Sequence, residues 1–231
     1  MVALIHFCRR RKAAVGRVEL RFFFVLYLLS LPLQLLTTGA FLHQGSTALV
    51  VLTAIHAGVV AALFWALLGN AIVATQVVED GTISSLIPYY FFSVAFFAVT
   101  TYIALDVGFT FTHVLGPSDP PSALHSIPLF VFTSIWPAAA AVIYLGLMAY
   151  VVLGMLHEVR PMLYYLAAAT LFVLSQLDFF LLSRVICDGA SRKIDGSFIA
   201  TVLETLAVGA LYLGWRNITE ESWDDEIYFP R

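Results

Sequence analysis

Asp178, Glu204 and His56 fall inside long apolar runs of this 231-residue chain, and such groups are costly in hydrocarbon. Glu204 lies near the middle of the last run. Ser197, Thr201 and Glu204 follow i, i+4, i+7 spacing, so they share one helix face, which is expected to point inward. Asp178, one turn after Ser175, lies in the outer half of the preceding run. With a second acid or base, such groups form a proton relay or hold an ion. Alone, a protonated or hydrogen-bonded carboxyl ties neighbouring helices together. The sequence identifies no second carboxylate or basic partner for either, and both readings stand. His56, among Ala and Val, is a packed histidine or a ligand, and a lone histidine is more often the former. An embedded enzyme built on Asp178, Glu204 and His56 requires the three to meet in one hydrated cavity.

Other chemistry is not written into the chain. There is no Gly-rich phosphate loop, HExxH, CxxC or nucleophile elbow. Cys8 and Cys187 are isolated and make no metal-ligand pattern. Lys12 and Lys193, the only lysines, lie outside the apolar runs, which excludes a retinal Schiff base; no run carries the arginine series of a voltage sensor. No catalytic residue, metal, cofactor or nucleic-acid partner is expected.

The elements that position these residues are membrane helices. Of the residues 61% are hydrophobic and 12% charged, and mean hydropathy is +0.91. A soluble domain carries roughly twice that charged share. A spanning helix needs about 20 apolar residues. Six stretches qualify: Leu20 to Phe41, Thr47 to Ala71, Leu86 to Val107, Pro128 to Leu153, Pro161 to Ile186 and Ser197 to Trp215. The expected fold is all-α, one polytopic transmembrane helix bundle over residues 1–231 with antiparallel sequential neighbours. Residues 1–19 form a basic stretch and residues 216–231 an acidic tail. No cleavable signal peptide is apparent, since Met1 to Phe7 is too short for one. The longest connection, Gly108 to Ile127, is broken by Gly116-Pro117 and Pro120-Pro121.

Orientation follows from basic residues near the helix ends. The side holding both termini carries Arg9, Arg10, Arg11, Lys12, Arg17, Arg21, Arg160, Arg216 and Arg231; the other carries Arg184, Arg192 and Lys193. Both termini are therefore expected in the cytosol, with Cys8 and Cys187 in opposite compartments and unable to pair.

Ala54, Gly58, Ala62, Ala66 and Asn70 recur at i+4 steps in the second span. Small residues in a row let a helix approach closely, either within the bundle or from a partner. Aromatics cluster at Phe22-Phe23-Phe24, Tyr89-Tyr90-Phe91-Phe92, Phe96-Phe97 and Phe179-Phe180, as interfacial belts or as a surface for another membrane protein.

Two loop regions carry a resemblance. Gly69-Asn70 ends the second span, followed by Gln76 and Glu79-Asp80-Gly81-Thr82. Between the fifth and sixth spans stand Ile186-Cys187-Asp188-Gly189 and Ile194-Asp195-Gly196. Trp215 and Ile218-Thr219-Glu220 close the last span, and Gly16-Arg17-Val18-Glu19 follows the basic stretch. In order and spacing, from about Arg9 to Trp223, these resemble the fungal chitin synthase export chaperone family. The resemblance implies a non-enzymatic, multi-pass endoplasmic reticulum protein that helps chitin synthase, a polytopic client, fold and leave that compartment. It makes Ala54, Gly58, Ala62, Ala66, Asn70, Gln76, Glu79, Asp80, Gly81, Asp178, Cys187, Asp188, Gly189, Asp195, Gly196 and Glu204 client-contact or structural candidates. It also implies a luminal N-terminal segment and a seventh spanning helix ahead of the basic stretch. Met1 to Phe7 resembles only the end of that helix, which reads as a truncated chain.

Expected partners are the synthase, membrane lipids and, through Asp224-Asp225-Glu226, vesicle coat proteins; that acidic run is equally a solvated tail. The outer surfaces of the second, third and sixth spans are expected to hold the client. The competing reading is a small polytopic receptor or transporter, which asks for convergent charges or matched broken helices that the sequence does not display.

Overall fold

In the computed structural model, residues 1–11, 14–39, 41–43, 45–112, 114–115, 126–182, 186 and 196–219 are described. Among them all regular structure is helical. A short helix, α1 (Val2–Arg10), precedes α2 (Arg17–Thr38), α3 (Thr47–Ala74) and α4 (Ile83–Phe109). Then follow α5 (Ile127–Met155), α6 (Arg160–Leu182) and α7 (Gly196–Ile218). The six helices α2 to α7 are long and apolar enough to cross a bilayer, as the hydropathy runs predict.

The ends follow local chemistry. The Ser46 hydroxyl caps α3 by accepting the Leu49 N–H at 3.3 Å. The Ser126 hydroxyl caps α5 in the same way from Leu129 N–H at 3.5 Å, and proline stands in the first turn of both α5 and α6, where its missing N–H is harmless. The first span begins three residues earlier than hydropathy places it, because Arg17 and Glu19 belong to the helix despite their charge, and it ends at Thr38 rather than Phe41. Three stretches are π-helical: Val131–Ile135 and Tyr150–Met155 in α5, and Asp178–Leu182 in α6.

The chain resolves into two compact units, one of Val18–Tyr144 and one of Met1–Arg17 with Leu145–Arg231. In the first, α3 and α4 pack closely, and the Trp136 indole of α5 donates to Ala61 O at 3.1 Å. The Trp136 ring stacks on Phe96 with centroids 4.3 Å apart. In the second, α6 packs along α7. The Trp215 indole donates to Val15 O at 2.9 Å, tying the segment after α1 to the end of α7.

Candidate functional site

The small-residue row of α3 is filled from within its own unit. Ala54, Gly58, Ala62 and Ala66 are all buried. A Cβ on Gly58 would sit 2.8 Å from Phe97 O and closer still to the Thr101 hydroxyl, both on α4. A Cβ on Gly108 of α4 would meet Val50 of α3 at 2.5 Å. At Gly58 the row is in close contact with α4, the first of the two uses its spacing allowed.

At one end of this pair, residues far apart in sequence converge on Glu19. Its side chain is fully buried. Glu19 Oε1 accepts the Gly81 N–H at 3.1 Å and the Ser85 hydroxyl at 3.2 Å. The Tyr89 hydroxyl lies 2.9 Å from Glu19 O and 3.2 Å from Ala66 O, sharing its one proton between them. Asn70 Nδ2 donates to that hydroxyl at 3.2 Å and to Ala66 O at 2.7 Å. Gly69 makes room, since a Cβ there would stand 2.7 Å from the Tyr89 ring. The Trp65 indole completes the packing by donating to Tyr89 O at 3.0 Å.

This node fixes the turn between α3 and α4. Gln76 and Gly81 both hold positive φ, at 59° and 66°, which for glutamine is uncommon and for glycine costs little. Gln76, Glu79 and Asp80 are exposed on the turn. At the other end of α4, the buried Asp106 carboxylate accepts the Thr112 N–H at 2.6 Å and the Thr112 hydroxyl at 2.8 Å. It secures the reversal at Thr110, whose φ is 53°.

In the second unit the intramembrane polar groups pair modestly. Gln176 Nε2 donates to Glu204 Oε1 at 3.2 Å and lies 3.2 Å from the Ser175 hydroxyl, so Glu204 ties α7 to α6. Asp178 is buried at the start of the π-helical stretch, with Oδ2 lacking a hydrogen-bond partner among the described residues. His56 is half-buried in α3. Among the described residues no three His, Cys, Asp or Glu side chains gather as a metal site would require. Gly196 is buried at the start of α7, while Cys187, Asp188, Gly189, Asp195 and the Asp224-Asp225-Glu226 run lie outside the described residues. Arg11 reaches the far end of α7, its guanidinium donating to Arg216 O at 3.0 Å and Thr219 O at 2.8 Å.

Sequence reasoning did not single out Tyr89, Asp106 or Arg11, and took Glu19 only as part of a motif. Tyr89 is hidden in a run of four aromatics of which it alone is buried; a charge immediately ahead of the first apolar run was the available sign for Glu19. The motif residues Glu19, Gly69, Asn70 and Gly81, quoted separately along the chain, form one hydrogen-bonded and packed cluster.

No solved structure matches the chain. Sequence relatives do. A chitin synthase export chaperone of Chaetomium globosum is 32% identical over 226 residues, and one of Phaeosphaeria nodorum is 31% identical over 227 residues. Each alignment covers 98% of this chain and 66% of the relative, so the chain spans just under two thirds of their length. A Cryptococcus neoformans chaperone of the same description is 29% identical over 226 residues, covering 61% of its own length. The family model described as chitin synthase export chaperone matches residues 1–228, and the chain belongs to that family.

Proposed function

We propose that this protein is a non-catalytic membrane chaperone that binds chitin synthase in the endoplasmic reticulum and supports its folding and export, and hence cell-wall chitin synthesis. The observation that carries this reading is the family match over residues 1–228, on a chain with six helices able to span a bilayer. The termini lie in the cytosol by the asymmetry of basic residues.

A membrane chaperone must offer surface to client helices before they find one another, and packing rather than hydrophobicity drives such association. Large apolar side chains stand exposed along α4, at Ile87, Phe91, Val94 and Tyr102, and along α7, at Phe198, Val202, Leu206 and Leu213. α3 has none exposed among the described residues, while α2, α5 and α6 expose some as well, so this exposure supports α4 and α7, rather than α3, as parts of the client surface. Membrane lipids cover what the client leaves open, and Asp224-Asp225-Glu226 is proposed as a signal for vesicle coat proteins on its sequence alone. Deleting the gene and following fluorescently tagged chitin synthase tests the function: the synthase should be retained in the endoplasmic reticulum. Normal delivery to the cell surface would refute it.

A further inference from the structure

The first turns of α2 carry two arginines that no described acid neutralises. Arg17 and Arg21 stand at i and i+4 on one helix, Arg21 exposed and Arg17 half-buried. Like charges at that spacing repel, and the N-terminal end of a helix carries positive potential of its own, so the local field disfavours both cations. Glu19, between them in sequence, does not offset the charge: its carboxylate is fully buried and accepts from Gly81 N–H and the Ser85 hydroxyl. Among the described residues no ion pair or hydrogen bond reaches either guanidinium. Beyond Arg21 the same face of α2 is apolar. Val25 and Leu29 follow at steps of four, 43% and 50% exposed, and the exposed Pro32 continues the stripe, while Phe23 and Tyr27 are buried on the other side. From Arg21 to Pro32 the helix rises roughly 16 Å, about the depth of one leaflet's hydrocarbon. Tyr90 of α4 is partly exposed beside the head of the stripe, its ring packed edge-on against Phe22 with centroids 4.9 Å apart.

We infer that this face of α2 binds one anionic phospholipid of the cytosolic leaflet, its phosphate held by Arg17 and Arg21 and an acyl chain laid along Val25, Leu29 and Pro32. Charge complementarity selects the occupant. Two uncompensated guanidiniums, each a planar array of N–H donors suited to phosphate oxygens, call for an anion. The stripe in register with them calls for that anion to carry a hydrocarbon chain, and an anionic phospholipid is both. The proposed topology puts the two arginines at the cytosolic interface, where anionic lipids give the leaflet its negative surface potential. The inference uses that topology but not the client, and it goes beyond the chaperone reading by assigning this face of α2 to a lipid.

Native mass spectrometry of the full chain in mild detergent tests this, with phosphatidylserine and phosphatidylcholine added in competition and bound lipid counted per folded chaperone. The wild type should retain phosphatidylserine in preference; equal retention of the two lipids would overturn the site whatever the variants do. Arg21→Gln should lose about fivefold of the preference, the scale of one cation at an anionic surface, and Arg17→Gln combined with Arg21→Gln should lose more. Arg21→Lys keeps the charge and should keep most of the preference. Arg160→Gln, which removes an exposed arginine at the start of α6, should leave it unchanged. An undiminished preference in the double variant, or an equal loss in Arg160→Gln, would refute the assignment. Displacement of phosphatidylserine by inorganic phosphate would make this a site for a free anion and overturn the lipid. Synthase capture that falls in the double variant while the lipid preference holds would give the arginines to the client instead. None of these lipid results touches the chaperone function, which stands or falls on synthase delivery.

Discussion

Gly58→Ala adds one methyl group at the closest approach of α3 and α4. The new Cβ would fall 2.8 Å from a backbone oxygen, Phe97 O, and nearer to the Thr101 hydroxyl. The hydroxyl can rotate, but the carbonyl is held in the α4 ladder, so the helices must part by several tenths of an ångström. Overpacking of this kind costs about 1–3 kcal/mol. Replacing glycine by alanine inside a helix returns about 1 kcal/mol. The net expectation is a loss of up to about 2 kcal/mol against wild type, and of about 1–3 kcal/mol against a glycine-to-alanine change at an open helix site. Gly146→Ala is the matched control, because a Cβ on that α5 glycine meets nothing within 4 Å. It should be neutral or stabilising by up to about 1 kcal/mol. Denaturant titration of both purified variants in the same detergent, followed by tryptophan fluorescence, measures the difference. Equal stability of Gly58→Ala and Gly146→Ala, or a loss confined to Gly146→Ala, would refute this account of the packing.

Other substitutions probe other elements. Gly81→Val forces a β-branched residue to φ 66° and should lower chaperone abundance in membranes; normal abundance with selective loss of client would instead make the turn purely a contact surface. Glu204→Leu should cost about 0.5–1.5 kcal/mol by stranding Gln176, whereas Glu204→Gln should sit near wild type in the same denaturation assay. Arg11→Ala removes a cation and its hydrogen bonds from the C-terminal end of α7, so deuterium uptake should rise at residues 212–219 and stay unchanged in α3, with a local cost of about 1–2 kcal/mol. The sequon Asn217-Ile218-Thr219 should carry no glycan: Asn217 lies in the last turn of α7 with its amide bonded to Leu213 O at 2.7 Å, on the proposed cytosolic side. An endoglycosidase shift abolished by Asn217→Gln would contradict both the assignment and the topology.

The spanning helices were legible because a bilayer helix must declare itself by about 20 apolar residues in a row. Their ends were less so, since Arg17 and Glu19 fall outside any hydropathy run yet form the first turn of α2, where an acid near a helix N-terminus is favoured. The small-residue row of α3 announced a close approach by its spacing, but Phe97 and Thr101, which fill it, carry no mark distinguishing them from other α4 residues. The Glu19 node was out of reach for a different reason. Its bonds join residues 62 to 70 positions apart, and each partner alone reads as a turn glycine, a helix serine or a belt tyrosine. Gln176 was overlooked as the partner of Glu204 because an uncharged amide raises no alarm in an apolar run.

The central claim is that this protein holds chitin synthase in the membrane. Co-purification tests it most directly: affinity-tagged chaperone extracted from fungal membranes in mild detergent, with captured proteins identified by mass spectrometry against an unrelated six-span protein tagged in the same way. The account predicts chitin synthase as a specific, stoichiometric companion. Its absence from the wild-type eluate, with the chaperone itself recovered intact and monodisperse, would contradict the account.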